Sequence, residues 1–179
     1  MTRRFEQRPI DRALLDEILM AAVKAPSAGY AQGTSLIVLE GGQAAMFWRT
    51  VDPLGRKPAE ARAPVIVIHG YNKQAYLDRY TEPDKAASGL GAEDKWPVPF
   101  WLVDTAFAGM TVMLAATAAG LGCWFFGIFT GAEQLIKDLG LADFEPIGAI
   151  ALGYPAAQQV RSPSLRRGRK PFSDFVVRP

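Results

Sequence analysis

Between Thr105 and Phe129 the chain runs TAFAGMTVMLAATAAGLGCWFFGIF, without one charged residue. A run of that kind belongs either in a membrane or in a protein core. Two features favour the core. Asp104 stands immediately before the run, and no positive flank on either side would orient a span. Gly120, Leu121 and Gly122 break the pattern, so Val103–Ala119 reads as helix and Cys123–Phe129 as an aromatic strand. The helical part is about 17 residues, or about 25 Å, short of the roughly 30 Å hydrocarbon layer. A helix apolar all round and too short to span is expected to be buried all round. One chain of 179 residues has little material to surround it. A dimer that packs it between two copies has enough, and Ala106, Gly109, Ala116 and Ala119 are small enough for helices to approach closely.

The rest of the chain reads as one α/β or α+β domain spanning residues 1–179, with no repeat and no dividing linker. Asp11–Lys24 is an amphipathic helix, with Leu14, Leu15, Ile18, Leu19, Ala22 and Val23 on one face, Asp11 as its cap and Pro26 as its stop. APSAGYAQG is a loop. Thr34–Glu40 and Val65–Gly70 are strands, the second expected to be buried on both faces. A short helix is expected over Gln43–Val51, another over Gly131–Leu141, and a last strand over Pro146–Pro155. Residues 72–95 are polar and charged, and are expected to form a mobile surface excursion with one helical turn near Tyr76–Tyr80.

Composition removes several chemistries. The chain has one cysteine, Cys123, and one histidine, His69. An internal disulfide, a four-cysteine zinc site and a multi-histidine metal site are therefore excluded. His69 lies in PVIVIHG and is expected to be a core or strand-end residue. The N-terminus carries no apolar signal segment, so a cytoplasmic location is expected. Net charge is only +2, yet it is segregated. Arg3, Arg4, Arg8 and Arg12 crowd one end; Arg161, Arg166, Arg167, Arg169 and Lys170 crowd the other; the body between is net acidic. Two basic ends are consistent with an anion site built from both, or with two solvated tails. No nucleic-acid motif accompanies them, so nucleic acid is not an expected partner.

Five stretches taken together resemble the FMN-dependent nitroreductase family: RRFEQRPI, KAPSAGYAQ, VDTAFAGMTVMLAATAAGLGCWFFGIF, IGAIALGYPA and RRGRKPFSDFVV, in the family's order and over nearly the whole chain. The resemblance implies an α+β fold in α/β/α layers, with a mixed central sheet flanked by helices and two chains intertwined around the long helix. It implies FMN at the dimer interface and NADH or NADPH as electron donor. Arg3 and Arg4 match basic residues beside the flavin; Arg167 and Arg169 match the pair that holds its phosphate. Pro26, Ser27, Ala28, Tyr30 and Gln32 match a loop that reaches the flavin from the partner subunit. Gly127 and Ile128 match the turn that faces flavin N5. Acceptor contacts are expected from Tyr30, from Trp96 in the 72–101 excursion and from Phe125, one of three consecutive aromatics.

The implied activity is reduction of a nitroaromatic, quinone or similar flat acceptor. The flavin carries the electrons, so no catalytic side chain and no metal is implied. Other flavin chemistry on the same fold, and non-catalytic flavin binding, remain as alternatives. Met1 stands at the serine of the family's Arg-Arg-Ser run, and loss of the helix that usually precedes it is expected, with the surplus C-terminal charge compensating. Tyr30 replaces a frequent Asn, Gly33 and Thr34 replace Pro-Trp, and Arg56 or Lys57 takes the place of a polar residue near the flavin edge.

Overall fold

The computed structural model describes residues 1–178. Helix α1 (Arg12–Val23) starts where the sequence predicts, and the Asp11 carboxylate accepts from the Leu14 amide at 3.1 Å. Strand β1 (Thr34–Glu40) runs directly into α2 (Gly41–Val51). Then follow β2 (Val65–Tyr71), α3 (Lys73–Arg79), α4 (Phe100–Ala118), β3 (Gly122–Phe126), α5 (Ala132–Asp138), β4 (Glu145–Gly153) and a four-residue turn of helix, α6 (Phe172–Phe175).

The four strands form one sheet in the order β1-β2-β4-β3, with every neighbouring pair antiparallel. The expected mixed sheet is therefore corrected to an antiparallel one. The physical reason is a skipped place. The α4 connection carries the chain from β2 to β3 in the same direction but leaves one position open between them, and β4 enters that position running the opposite way.

Side chains alternate across the sheet as the pleat requires. Val65, Val67, Ile150 and Leu152 pack under α1 and α4; Ile66, Ile68, Ala149 and Ala151 pack under α2 and α5. Every residue of β2 is buried, as its continuous apolar run predicts.

Helix α4 lies across all four strands and against α1. It is long and apolar enough to cross a membrane by length and composition alone, yet it serves here as a core helix. Trp101, Asp104, Thr105, Ala108, Gly109, Val112 and Ala116 form its buried face. Asp104 sits inside the helix, as expected, and the helix begins three residues earlier than expected, at Phe100. Gly109 does not serve helix–helix approach: a Cβ there would come within 2.8 Å of the His69 ring, so it lets α4 close on the sheet. The opposite face carries Leu102, Phe107, Met110 and Leu114, and the last three are 48%, 54% and 63% exposed. Within one chain the helix is therefore buried on one face only.

His69 is buried against Phe125, with ring centroids 5.3 Å apart, and its Nδ1 has no partner among the described residues. Burial lowers its pKa from 6.5 to about 4. The folded state refuses a proton that the unfolded state accepts. Stability is therefore complete above pH 6.5 and is lost as pH falls towards 4. Changing His69 to Leu is expected to shrink the stability difference between pH 7 and pH 4 by about 3 kcal/mol. Urea titrations of both proteins at the two pH values measure it, and an undiminished difference would overturn it.

Candidate cofactor site

The residues expected to hold a cofactor fall into three groups. The first is the loop Pro26–Gln32, beside the edge strand β1. It is tightly specified. Ala28 N donates to Asp104 Oδ2 at 2.8 Å, and Gln32 N donates to Ser27 Oγ at 2.9 Å. Gly29, Tyr30 and Gln32 all take positive φ, at 60°, 59° and 52°. Two non-glycine residues in that region within three positions are strained, and such strain persists only where surrounding contacts impose it. The loop leaves Tyr30 73% exposed. A cleft of about 570 Å³ opens beside it, bounded by α1, the β1 edge and Asp104.

Beneath the loop lies a polar knot. The Tyr76 side chain is fully buried, and no group meets hydrogen-bond geometry at its hydroxyl, although Asp104, Thr34 and Ser27 surround it. Burial, reinforced by the Asp104 carboxylate, pushes its pKa up to about 12. Thr34 Oγ1 and Thr105 Oγ1 lie 3.0 Å apart in the same region. Sequence reasoning missed this knot, because Asp104 marked only the edge of an apolar run.

The second group lies at the other edge of the sheet. The N-terminal stretch docks along β3 and the exit of β4: Thr2 N donates to Cys123 O at 2.9 Å, and Glu6 N to Tyr154 O at 2.9 Å. Gln159 bonds the backbone of Arg3 and Arg4, which joins the two basic ends of the chain. This docking places the Arg3 guanidinium 4.4 Å from the Trp124 ring centroid. Lys57 Nζ approaches the same ring at 5.8 Å and Phe126 at 5.9 Å. Lys57 is carried there by a turn wrapped on Asp52, whose carboxylate accepts from the Lys57 and Arg56 amides at 2.9 Å each and is thereby held below the usual carboxylate range. Neither Arg3 nor Lys57 has a carboxylate partner among the described residues. Arg4, in contrast, pairs with Glu60 at 3.7 Å. Gly127 and Ile128 follow directly on Phe126. Phe125 points to the opposite face, against His69, and is partly exposed.

The third group is the C-terminal arm. Arg167 ends a turn of 3-10 helix and is followed by Gly168, at φ 74°, then Arg169. The arm is exposed, with Phe172, Phe175 and Val177 turned to solvent. Trp96 joins none of these groups. Its indole N–H donates to Leu90 O at 2.7 Å, and its ring packs on Tyr80 and Trp101. The excursion it belongs to holds more regular structure than expected: α3 forms in it, and Tyr76, Trp96 and Trp101 pack it together. A larger groove of about 1030 Å³ lies between α5 and the start of β4, and collects none of the expected cofactor residues.

Three strand spacings, about 14 Å, separate the β1 edge from the β3 edge. The nitroreductase family model matches residues 1–61 and 49–154. The chain belongs to the nitroreductase family. A proposed NADH dehydrogenase/NAD(P)H nitroreductase of Methanothermobacter thermautotrophicus is 27% identical over 158 residues, covering 86% of this chain and 72% of that protein. Solved structures share the nitroreductase fold. An FMN-dependent nitroreductase of Clostridium difficile R20291 superposes with a TM-score of 0.64 at 16% identity, over 94% of this chain and 92% of that one. A gut-bacterial enone reductase acting in fatty acid saturation superposes with a TM-score of 0.68 at 21% identity, over 96% and 92%. The antiparallel sheet flanked by helices on both faces is thus the nitroreductase architecture as this chain builds it.

Proposed function

We propose that this nitroreductase-family protein is an FMN-dependent oxidoreductase that uses NADH or NADPH to reduce a nitroaromatic, quinone or similar flat acceptor. It works as a cytoplasmic homodimer, without a membrane or nucleic-acid partner. The observation that carries this reading is the pair Arg3 and Lys57, two cations without a direct ion-pair partner among the described residues that approach the Trp124 ring just before Gly127 and Ile128. Two like charges over one ring repel, and an anionic ligand relieves that repulsion. The donor set fits a flavin phosphate and a ring that becomes anionic on reduction: Arg3 and Lys57 at the sheet edge, Arg167 and Arg169 from the arm, and the Ser27–Gln32 loop from a second copy.

Bound FMN would supply the electron transfer that no side chain of this chain can perform. The protein residues bind, orient and exclude water. Positive charge at the β3 edge favours a negatively charged ring system. The separation of that edge from the Tyr30 loop supports a site completed across a dimer, and the exposed apolar stripe of α4 supports the same assembly.

Purified protein is expected to be yellow and to bleach on addition of NADH or NADPH without oxygen. Colour that NAD(P)H leaves unchanged would favour flavin binding without this chemistry. Colourless protein that FMN cannot reconstitute would overturn the proposal. The enone reductase among the structural neighbours makes an activated alkene the second acceptor class to assay.

A further inference from the structure

The loop that carries Tyr30 is gripped at two adjacent residues from opposite sides. From the long helix, Asp104 takes the Ala28 N–H. From the end of α3, Arg79 Nε donates to Gly29 O at 2.8 Å. Arg79 has no freedom to leave. Its Nη1 and Nη2 donate to the two oxygens of Asp84 at 2.7 Å each, and Nη1 also reaches Glu82 at 3.0 Å. The two-pronged contact fixes the guanidinium plane and aims Nε at the loop. The Arg79 side chain is only 19% exposed, so its charge is held in place by these contacts and not by solvent. The guanidinium in turn holds the Asp84 carboxyl below the usual range.

Tyr80 completes the grip. Its ring occupies the space that a Cβ on Gly29 would need, 2.6 Å from Cε2, and it leans on Trp96 with centroids 4.7 Å apart. Immediately beyond this contact the backbone turns left-handed at Gly29 and Tyr30. The excursion between β2 and α4 therefore meets the site through the backbone of the loop, not through a side chain in the cleft.

We propose that Arg79, aimed by Asp84, is a positioning residue that fixes the left-handed Gly29–Tyr30 turn and so sets how Tyr30 meets the acceptor. This deepens the flavin reading and rests on it for the acceptor. The loop's conformation can be tested without it.

The test compares full-length wild type, Arg79→Ala and Asp84→Ala. Hydrogen exchange by mass spectrometry follows the peptide covering residues 26–33. Steady-state kinetics of the FMN-loaded protein use a benzoquinone and a bulkier naphthoquinone. Arg79→Ala is expected to speed exchange in that peptide by about tenfold, because a charge-assisted bond is lost. It is expected to raise the naphthoquinone KM by about tenfold while kcat stays within about twofold, the pattern of lost binding and not of lost chemistry. Asp84→Ala keeps the Nε donor but loses its aim, so it moves both readouts in the same direction by less. It also keeps the test open if Arg79→Ala does not fold. Unchanged exchange in both variants overturns the proposal, as does faster exchange with unchanged KM. If wild type binds no FMN, the flavin reading falls, and the exchange comparison alone upholds or overturns the role of Arg79 in the loop.

Discussion

A glutamate in place of Leu114 is expected to split the proposed homodimer and abolish flavin binding with it. Leu114 stands with Phe107 and Met110 on the outward face of α4, all apolar and all open to solvent in a single chain. Residues at this spacing share one stripe of a helix, and this stripe is the surface the proposed dimer would cover. An unpaired carboxylate forced into an apolar interface costs several kcal/mol. The dimer dissociation constant should therefore rise by at least about a thousandfold. Light scattering at micromolar concentration should show twice 19.5 kDa for wild type and 19.5 kDa for the variant. Flavin affinity should collapse in parallel, because the Tyr30 loop and the Arg3 edge lie at opposite ends of the sheet order and, in the proposed site, meet only across two copies. Gln43→Glu, on the exposed surface of α2, serves as the control. A Leu114→Glu protein that stays dimeric and yellow would end the argument for a composite site.

The second large effect separates the two sets of cations by ligand. Arg167 and Arg169 flank Gly168 on an exposed arm and have no ion-pair partner among the described residues. If they hold a phosphate, changing both to alanine should weaken FMN by at least about a hundredfold, since each charge-assisted bond contributes about 1.5–3 kcal/mol. Riboflavin, which lacks the phosphate, should bind the double variant as it binds wild type. Arg3→Ala with Lys57→Ala should weaken both ligands, because those cations sit beside the ring that would face the flavin. Fluorescence titration of both ligands into both variants gives four numbers. Equal losses for FMN and riboflavin in the Arg167 and Arg169 variant would remove the arm from the phosphate site.

Much of the fold was legible because it is written in local pattern. Asp11 before an apolar helical face marks the start of α1, and the unbroken VIVIH run marks a strand buried on both sides. What was not legible depends on contacts distant in sequence. The strand order leaves no local trace, so the antiparallel place of β4 between β2 and β3 could not be read. The uniform apolar composition of α4 concealed which face meets the sheet, and Gly109 was assigned to the wrong neighbour for that reason. The packing of the excursion was hidden because its charges dominate its composition, while its contacts come from single aromatics, Tyr76, Trp96 and Trp101, at no regular spacing. For the candidate site, the sequence proposed Arg3 and the Pro26–Gln32 loop, and Lys57 as one of two candidates. Arg79 and Asp84 escaped notice because their target is the backbone carbonyl of Gly29, and a carbonyl carries no signature in sequence.

The skipped place in the sheet also bears on how the chain reaches this structure. Strand β3 is made before β4 but has no strand neighbour until β4 arrives, because among the described residues β4 is its only strand partner in the sheet. While the chain is being synthesised, β1 and β2 can pair at once, and α4 can form from its own residues. Their apolar faces then remain uncovered until residues 145–153 emerge and slot between β2 and β3. Closure needs contacts of long sequence separation, which form slowly and leave intermediates prone to aggregate. A nascent chain stopped anywhere before Glu145 thus holds an open sheet, and emergence of Glu145–Gly153 is what lets β3 join β2 in one sheet.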